Sequence, residues 1–238
     1  MELAPICILA GGLGSRLGDA VRDTPKPLLE VAGEPFLIHQ LRLLARNGAH
    51  RVVLCVGYLG ERIEETIGYE QFDLDIKYSY DGLQLVGTLG AIRKAVPLLG
   101  ERFLTLYGDT YLRIDYRYFD ASWRSSGLPA AMAVLRNRGA WGRSNATFSS
   151  GRVTQFDKDP TRAMEWIDYG VGGLETRVLS MVDIHEPDLA VLHHILAQRG
   201  LLFGFEAAKR FYEIGTSGAL NETEQFLYRV TRNGTAAT

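Results

Sequence analysis

The sequence predicts an α/β fold with a mostly parallel central sheet covered by helices, plus a small antiparallel addition. Two observations carry the first part. Strand-like and helix-like segments alternate through the first 135 residues, and the strands are apolar throughout rather than alternating, as expected when helices cover both faces of a parallel sheet. The third observation is a hairpin signal in the second half, "NATFSSGRVTQF", with a Ser-Gly turn between two short runs.

In order, the strands read as "PICILA" (5–10), "RVVLCVG" (51–57), "DIKYSY" (75–80), "RFLTLYG" (102–108) and "PAAMAVL" (129–135). Between them, Pro35 to Asn47 has apolar residues at three- and four-residue spacing, Pro at its start and Gly48 past its end, which predicts a helix. "GERIEETIG" and "TLGAIRKAVPLLG" predict two shorter helices. After the hairpin, "WIDYGVGGL" and "LFGFEA" read as further strands. No repeat or linker divides the chain, so residues 1–230 read as one domain and 231–238 as a frayed tail.

The chain has 238 residues and a formal net charge of −2, with no basic run, which gives no electrostatic basis for nucleic acid or a membrane surface. Neither a membrane-length apolar stretch nor a leader pattern stands in it, and the expectation is a cytoplasmic protein. Cys7 and Cys55 each lie in an apolar strand. They read as buried free thiols of a reducing compartment, with a disulfide open if the two strands are neighbours.

The first strand runs directly into "GGLGSRLGDAVRDTPKP". Gly11, Gly12 and Gly14 allow a sharp turn that brings backbone N–H groups against an anion, and Arg16 adds a guanidinium suited to phosphate oxygens. The loop is not a dinucleotide fingerprint: the spacing is wrong, and Pro25 and Pro27 would break the helix that should follow. Nor is it a Walker loop, for G-K-[ST] is absent. The prolines around Lys26 fix φ, remove two donors and disfavour helix at the lysine. They predict an extended strut that holds a cation for anion binding.

"LYGDTYL" ends an apolar strand on Asp109, where a carboxylate opposite a phosphate loop is placed to hold Mg²⁺. Glu213, in "RFYEIGTSGAL", is a second acid at a strand end. Gly87 and Thr88 open a helix, where they suit either a nucleobase contact or an N-cap. Lys158 follows a strand before a turn-forming Asp-Pro, and alone reads as a solvated lysine. His193 and His194 are adjacent in a helical, apolar setting and read as structural.

In this order the segments resemble the sugar-1-phosphate nucleotidyltransferases, the nucleoside-diphosphate-sugar pyrophosphorylases. The resemblance runs from the glycine loop through "VGTLGA", "YGDT", "VTQFDKDP", "IDYGVGGL" and "RFYEIGTSGAL", roughly residues 3 to 227. It implies a Rossmann-like, three-layer, GT-A-like nucleotidyltransferase fold. It also implies the reaction NTP + sugar 1-phosphate → NDP-sugar + pyrophosphate, with Mg²⁺ as cofactor. Leu9, Ala10, Gly11, Gly12, Gly14, Gly87 and Thr88 would then meet the nucleotide. Arg16, Lys26 and Asp109 would be catalytic, Asp109 and Glu213 would hold the metal, and Lys158, Asp168 and Gly170 would bind the sugar phosphate. The family usually shows aspartate at Glu213, and often asparagine and a small residue at Asp168 and Tyr169. Within the family the chain looks most like heptose- and mannose-1-phosphate guanylyltransferases, so GTP is the favoured donor. Uridylyl or thymidylyl transfer to another sugar is the alternative, and homo-oligomer formation stays open.

Two other classes fit less well. A nucleotide-sugar-dependent glycosyltransferase would carry a D-x-D pair where "GDTYL" has Asp109 alone. A catalytically silent nucleotide-binding regulator would have lost Arg16, Lys26 or Asp109, and all three are present.

Overall fold

The computed structural model describes residues 2–12, 23–82 and 84–232. Arg16 and Gly14 lie outside them. The first strand β1 (Ile6–Leu9) leads to a small hairpin of β2 (Glu30–Val31) and β3 (Glu34–Pro35), then to α1 (Phe36–Arg46). Next come β4 (Arg51–Val56), α2 (Gly60–Ile67), β5 (Glu70–Gln71), β6 (Leu74–Tyr80), α3 (Gly87–Leu99) and β7 (Arg102–Tyr107). The second half holds β8 (Thr110–Tyr111), α4 (Tyr116–Ser126), β9 (Ala130–Arg136), β10 (Ala146–Ser149) and β11 (Arg152–Phe156). It ends with β12 (Trp166–Glu175), α5 (Leu189–Gln198), β13 (Leu202–Ala207), β14 (Tyr212–Glu213) and α6 (Ser217–Arg232).

Among the described residues ten strands form one sheet, ordered β10-β11-β13-β9-β12-β7-β1-β4-β6-β5. The expected parallel core is there: β1 pairs with β4 and β7, and β4 with β6. The antiparallel part is larger than a small addition and continuous with that core. β12 enters between β7 and β9, antiparallel to both. Its stretch Tyr169–Leu174 is buried on both faces, so it belongs in the middle of a covered sheet.

Helices cover both faces in three layers. Leu37, Leu41 and Leu44 of α1, with Phe119 and Trp123 of α4, pack into one apolar cluster. Leu89 and Ile92 of α3, with Leu189, Leu192 and Leu196 of α5, pack into the other. Cys7 and Cys55 do lie on neighbouring strands, as free thiols with their sulfurs 3.4 Å apart. Burial and the neighbouring thiol push the Cys7 pKa well up. Among the described residues no helix is long and apolar enough to cross a membrane.

Candidate active site

The carboxyl ends of β1, β4 and β7 border a cleft of about 280 Å³. Leu9, Ala10, Gly11 and Gly12 line it as β1 ends, with Lys26, Gly87, Thr88 and Asp109 around them. Thus eight residues singled out in the sequence share one cavity. The strand ends come very close: a Cβ on Gly108 would sit 3.0 Å from the Leu9 carbonyl oxygen.

Asp109 is held by more than its strand. Gln40 of α1 donates to the carbonyls of Tyr107 (3.0 Å) and Thr110 (2.6 Å), clamping the turn that carries it. The amide of Ile214 donates to the Asp109 carbonyl at 3.0 Å. The antiparallel pair β8–β14 sets Glu213 opposite Thr110, which joins the two segments that carry the predicted acids. Sequence reading missed Gln40, because a glutamine in an amphipathic helix carries no local signal.

Lys26 meets Asp109 directly, Nζ to Oδ2, at 2.6 Å. The lysine is largely buried, with 11% of its side chain exposed. A Cβ on Gly215 would lie 2.8 Å from a Glu213 carboxylate oxygen and 3.5 Å from Lys26 Nζ, so all three side chains converge there. The extended strut expected at Lys26 is corrected: Lys26–Leu28 form a single 3-10 turn. Pro27 fits the start of a helical turn because no backbone donor is needed there. The extended residue is Pro25, with φ −55° and ψ 136°.

The cleft is also lined by Asp81, a buried acid that sequence reading did not select and whose carboxylate lies near Gly11. Burial raises its pKa, opposed by the Val86 amide and the Lys94 ammonium. Thr88 is not the N-cap of α3. Its Oγ accepts from the Leu189 amide at 2.9 Å and so serves the start of α5. The helix starts are pressed together there: Gly87 has φ +75°, and a Cβ on it would lie 2.5 Å from the Pro187 carbonyl oxygen.

Asp168 and Gly170 line a separate niche that adjoins the cleft and shares Leu9 and Tyr107 with it. Asp168 accepts from the Gly170 amide at 2.9 Å, while burial raises its pKa to about 6. Lys158 is directed elsewhere. Its ammonium pairs with Asp188 at 2.5 Å, and the side chain is 65% exposed. Asp188 itself caps α5 by accepting from the Ala190 amide.

The fold and site define an α/β domain with a cleft at the carboxyl ends of its parallel strands, where a lysine is paired with an aspartate. The sequence profile of the MobA-like NTP transferase domain matches residues 6–213, and the chain belongs to that family. A D-glycero-alpha-D-manno-heptose 1-phosphate guanylyltransferase from Campylobacter jejuni is 38% identical over 108 residues, 45% of this chain and 48% of that one. An N-acetylmuramate alpha-1-phosphate uridylyltransferase from Neisseria meningitidis is 38% identical over 111 residues, 46% of this chain and 48% of that one. The chain thus spans about half the length of these curated relatives in its matches. The crystal structure of HddC from Yersinia pseudotuberculosis complexed with GMP-PN shares the fold. Its TM-score is 0.79 at 21% identity, covering 94% of this chain and 100% of that chain.

Proposed function

We propose that this protein transfers a nucleotidyl group from GTP to a hexose or heptose 1-phosphate, releasing pyrophosphate, in the cytoplasm. The observation that carries the reading is the Lys26–Asp109 pair beside Glu213 in a glycine-floored cleft. A sugar phosphate oxygen attacks the α-phosphorus, forming the new P–O bond as the bond to the leaving pyrophosphate breaks. Such chemistry is driven by alignment and charge neutralisation. Gly11, Gly12 and Gly14 admit the triphosphate, Arg16 steadies the leaving pyrophosphate, and Lys26 holds the reacting phosphate. Thr88 and Gly87 lie toward the base, and Asp168 and Gly170 toward the sugar phosphate, while Lys158 stays paired with Asp188.

Asp109 and Glu213 form an oxygen donor set that suits Mg²⁺, which takes one or two carboxylates and shares its other positions with phosphates and water. The Lys26–Asp109 ion pair, with a carboxylate oriented to a cation, supports this reading. Bound there, Mg²⁺ would supply charge neutralisation for the phosphates. Lys26, paired with Asp109 here, would turn its ammonium to the reacting phosphate when substrate binds.

Asp81 supports the choice of GTP. Guanine presents two adjacent donors, N1–H and N2–H₂, on its pairing edge, and an ionised carboxylate accepts both. The free thiols Cys7 and Cys55 support a reducing compartment.

The test is Mg²⁺-dependent pyrophosphate release with GTP, UTP, dTTP, CTP and ATP against a panel of hexose and heptose 1-phosphates. Release with GTP and a mannose- or heptose-type phosphate is expected. Release confined to UTP or dTTP would overturn the base assignment. No release from folded protein with any pair would overturn the reaction.

A further inference from the structure

We propose that His193 selects the sugar, by hydrogen-bonding a neutral hydroxyl that enters the niche beside Asp168. This deepens the reading above and rests on it.

His193 is 3% exposed, and both of its ring nitrogens are buried without a hydrogen-bond partner among the described residues. Leaving one such group unmet costs about 1–3 kcal/mol, so an orphaned ring needs an explanation. Burial holds its pKa down near 4, so the ring is neutral at pH 7, one nitrogen donating and the other accepting. Phe156 packs perpendicular to the ring with centroids 5.5 Å apart.

The ring lines the niche with Asp168, Thr105 and Tyr107. The niche holds about 10 Å³, room for one water-sized group. Gly172 keeps it open. A Cβ there would lie 2.8 Å from the Thr105 hydroxyl and 3.9 Å from His193 Nε2. The carboxylate of Asp168 has one hydrogen bond, from Gly170, and no ion-pair partner among the described residues. The lysine nearest in function, Lys158, is spent on Asp188.

Two complementary needs therefore meet in a space of one heavy atom. A hydroxyl satisfies both, donating to Asp168 and accepting from a His193 N–H. A carboxylate does not, since it would face the charge of Asp168 with no cation to offset it. The niche thus favours a neutral polyol sugar over an acidic one such as a lactyl-bearing amino sugar.

The experiment compares kcat/KM for the best sugar 1-phosphate and its monodeoxy analogues in the wild type, His193→Phe and His193→Gln. The wild type should reject one deoxy analogue by about 100-fold, because removing that hydroxyl leaves buried polar groups unpaired. His193→Phe should cut this penalty below about tenfold, with the KM for nucleotide held, and His193→Gln should restore part of it. If the deoxy profile of His193→Phe matches the wild type while its Tm merely rises, His193 is structural and the proposal fails. If no sugar 1-phosphate is turned over, the reaction assignment has failed separately. The niche is then read by the His193 ring ¹⁵N signals during titration with D-mannose 1-phosphate. A shift of those signals that Asp168→Asn abolishes supports the proposal, and saturation without a shift overturns it.

Discussion

The parallel half of the sheet and its antiparallel half handle polar groups in opposite ways. Around β1, β4 and β7 the charged groups of the cleft are already engaged: Lys26 with Asp109, and Asp81 with the Val86 amide. Around β12, among the described residues, Asp168 has one backbone partner and the His193 ring none. On the function proposed above, the first half takes ligands of fixed chemistry, phosphates and a metal, and its charged groups are paired in advance. The second leaves polar capacity unmet, which is how a site discriminates among neutral substituents that differ by one hydroxyl.

The largest effect expected from this contrast lies in the preassembled half. Asp109→Asn should lower kcat/KM by at least about 100-fold, the scale of losing one preorganised electrostatic group. Lys26→Met should also lower turnover, yet tighten Mg²⁺ binding to nucleotide-free protein, since the ammonium and the metal compete for one carboxylate. Calorimetry with Mg²⁺ alone separates the two variants. Equal or weaker metal binding in Lys26→Met would remove the competition.

Asp81→Asn comes next. Replacing one acceptor oxygen by a donor amide should cost GTP roughly 10–100-fold in kcat/KM relative to UTP, the range of one paired base contact. A uniform loss across all five nucleotides would place Asp81 in support of the loop rather than in reading the base. This prediction also shows how legible the two halves were. Gly11, Lys26 and Asp109 were visible because their chemistry is written in short local strings: a strand running into glycines, a lysine between prolines, an acid after an apolar run. Asp81 follows a strand too, but its role depends on Gly11 and Gly57 lying against it, a contact across 70 residues of sequence. His193 was read as structural because an apolar helix position gives no hint that both ring nitrogens end unpaired. The sheet was legible in its parallel core, where each strand is followed by its helix. It was less so at β12, whose insertion between β7 and β9 is decided by tertiary packing.

A smaller effect concerns pH. The folded pKa of Asp168, about 6, lies above its ordinary 3.8, so its contribution to stability is fully present below about pH 4 and lost as pH rises through 6. That of His193, about 4, lies below its ordinary 6.5. Its contribution is fully present above about pH 6.5 and lost as pH falls through 4. Between pH 4 and 6.5 the two oppose each other, and their sum is nearly flat. Asp168→Asn should leave the His193 slope alone, so stability at pH 7 and pH 5, read by urea unfolding, should differ by about 1 kcal/mol more than in the wild type, the Asp168 change over that range. His193→Phe should tilt the balance the other way. Parallel wild-type and variant profiles would mean that neither group is buried as strongly as the geometry indicates.

The smallest effect is at the seam between the halves. Thr88 lines the cleft, but its hydroxyl oxygen already accepts from Leu189, and the Leu89 amide donates to Pro187 at 2.8 Å. Together these tie the start of α3, behind the nucleotide cleft, to the start of α5, which carries His193. The Leu189 amide sits in the first turn of α5 and has no partner within that helix. Thr88→Val would orphan it at a cost of about 1 kcal/mol, the usual size of a lost helix-start bond. For a chain of this length that is a fall in Tm of roughly 2–4 °C. Thr88→Ser, which keeps the oxygen, should recover most of the loss. If the hydroxyl is chiefly a clamp, Thr88→Val should raise the KM for the sugar phosphate more than that for the nucleotide, because α5 loosens on the sugar side. A large rise in nucleotide KM at unchanged Tm would instead assign the hydroxyl to the base and leave the two halves joined through Pro187 and Leu89 alone.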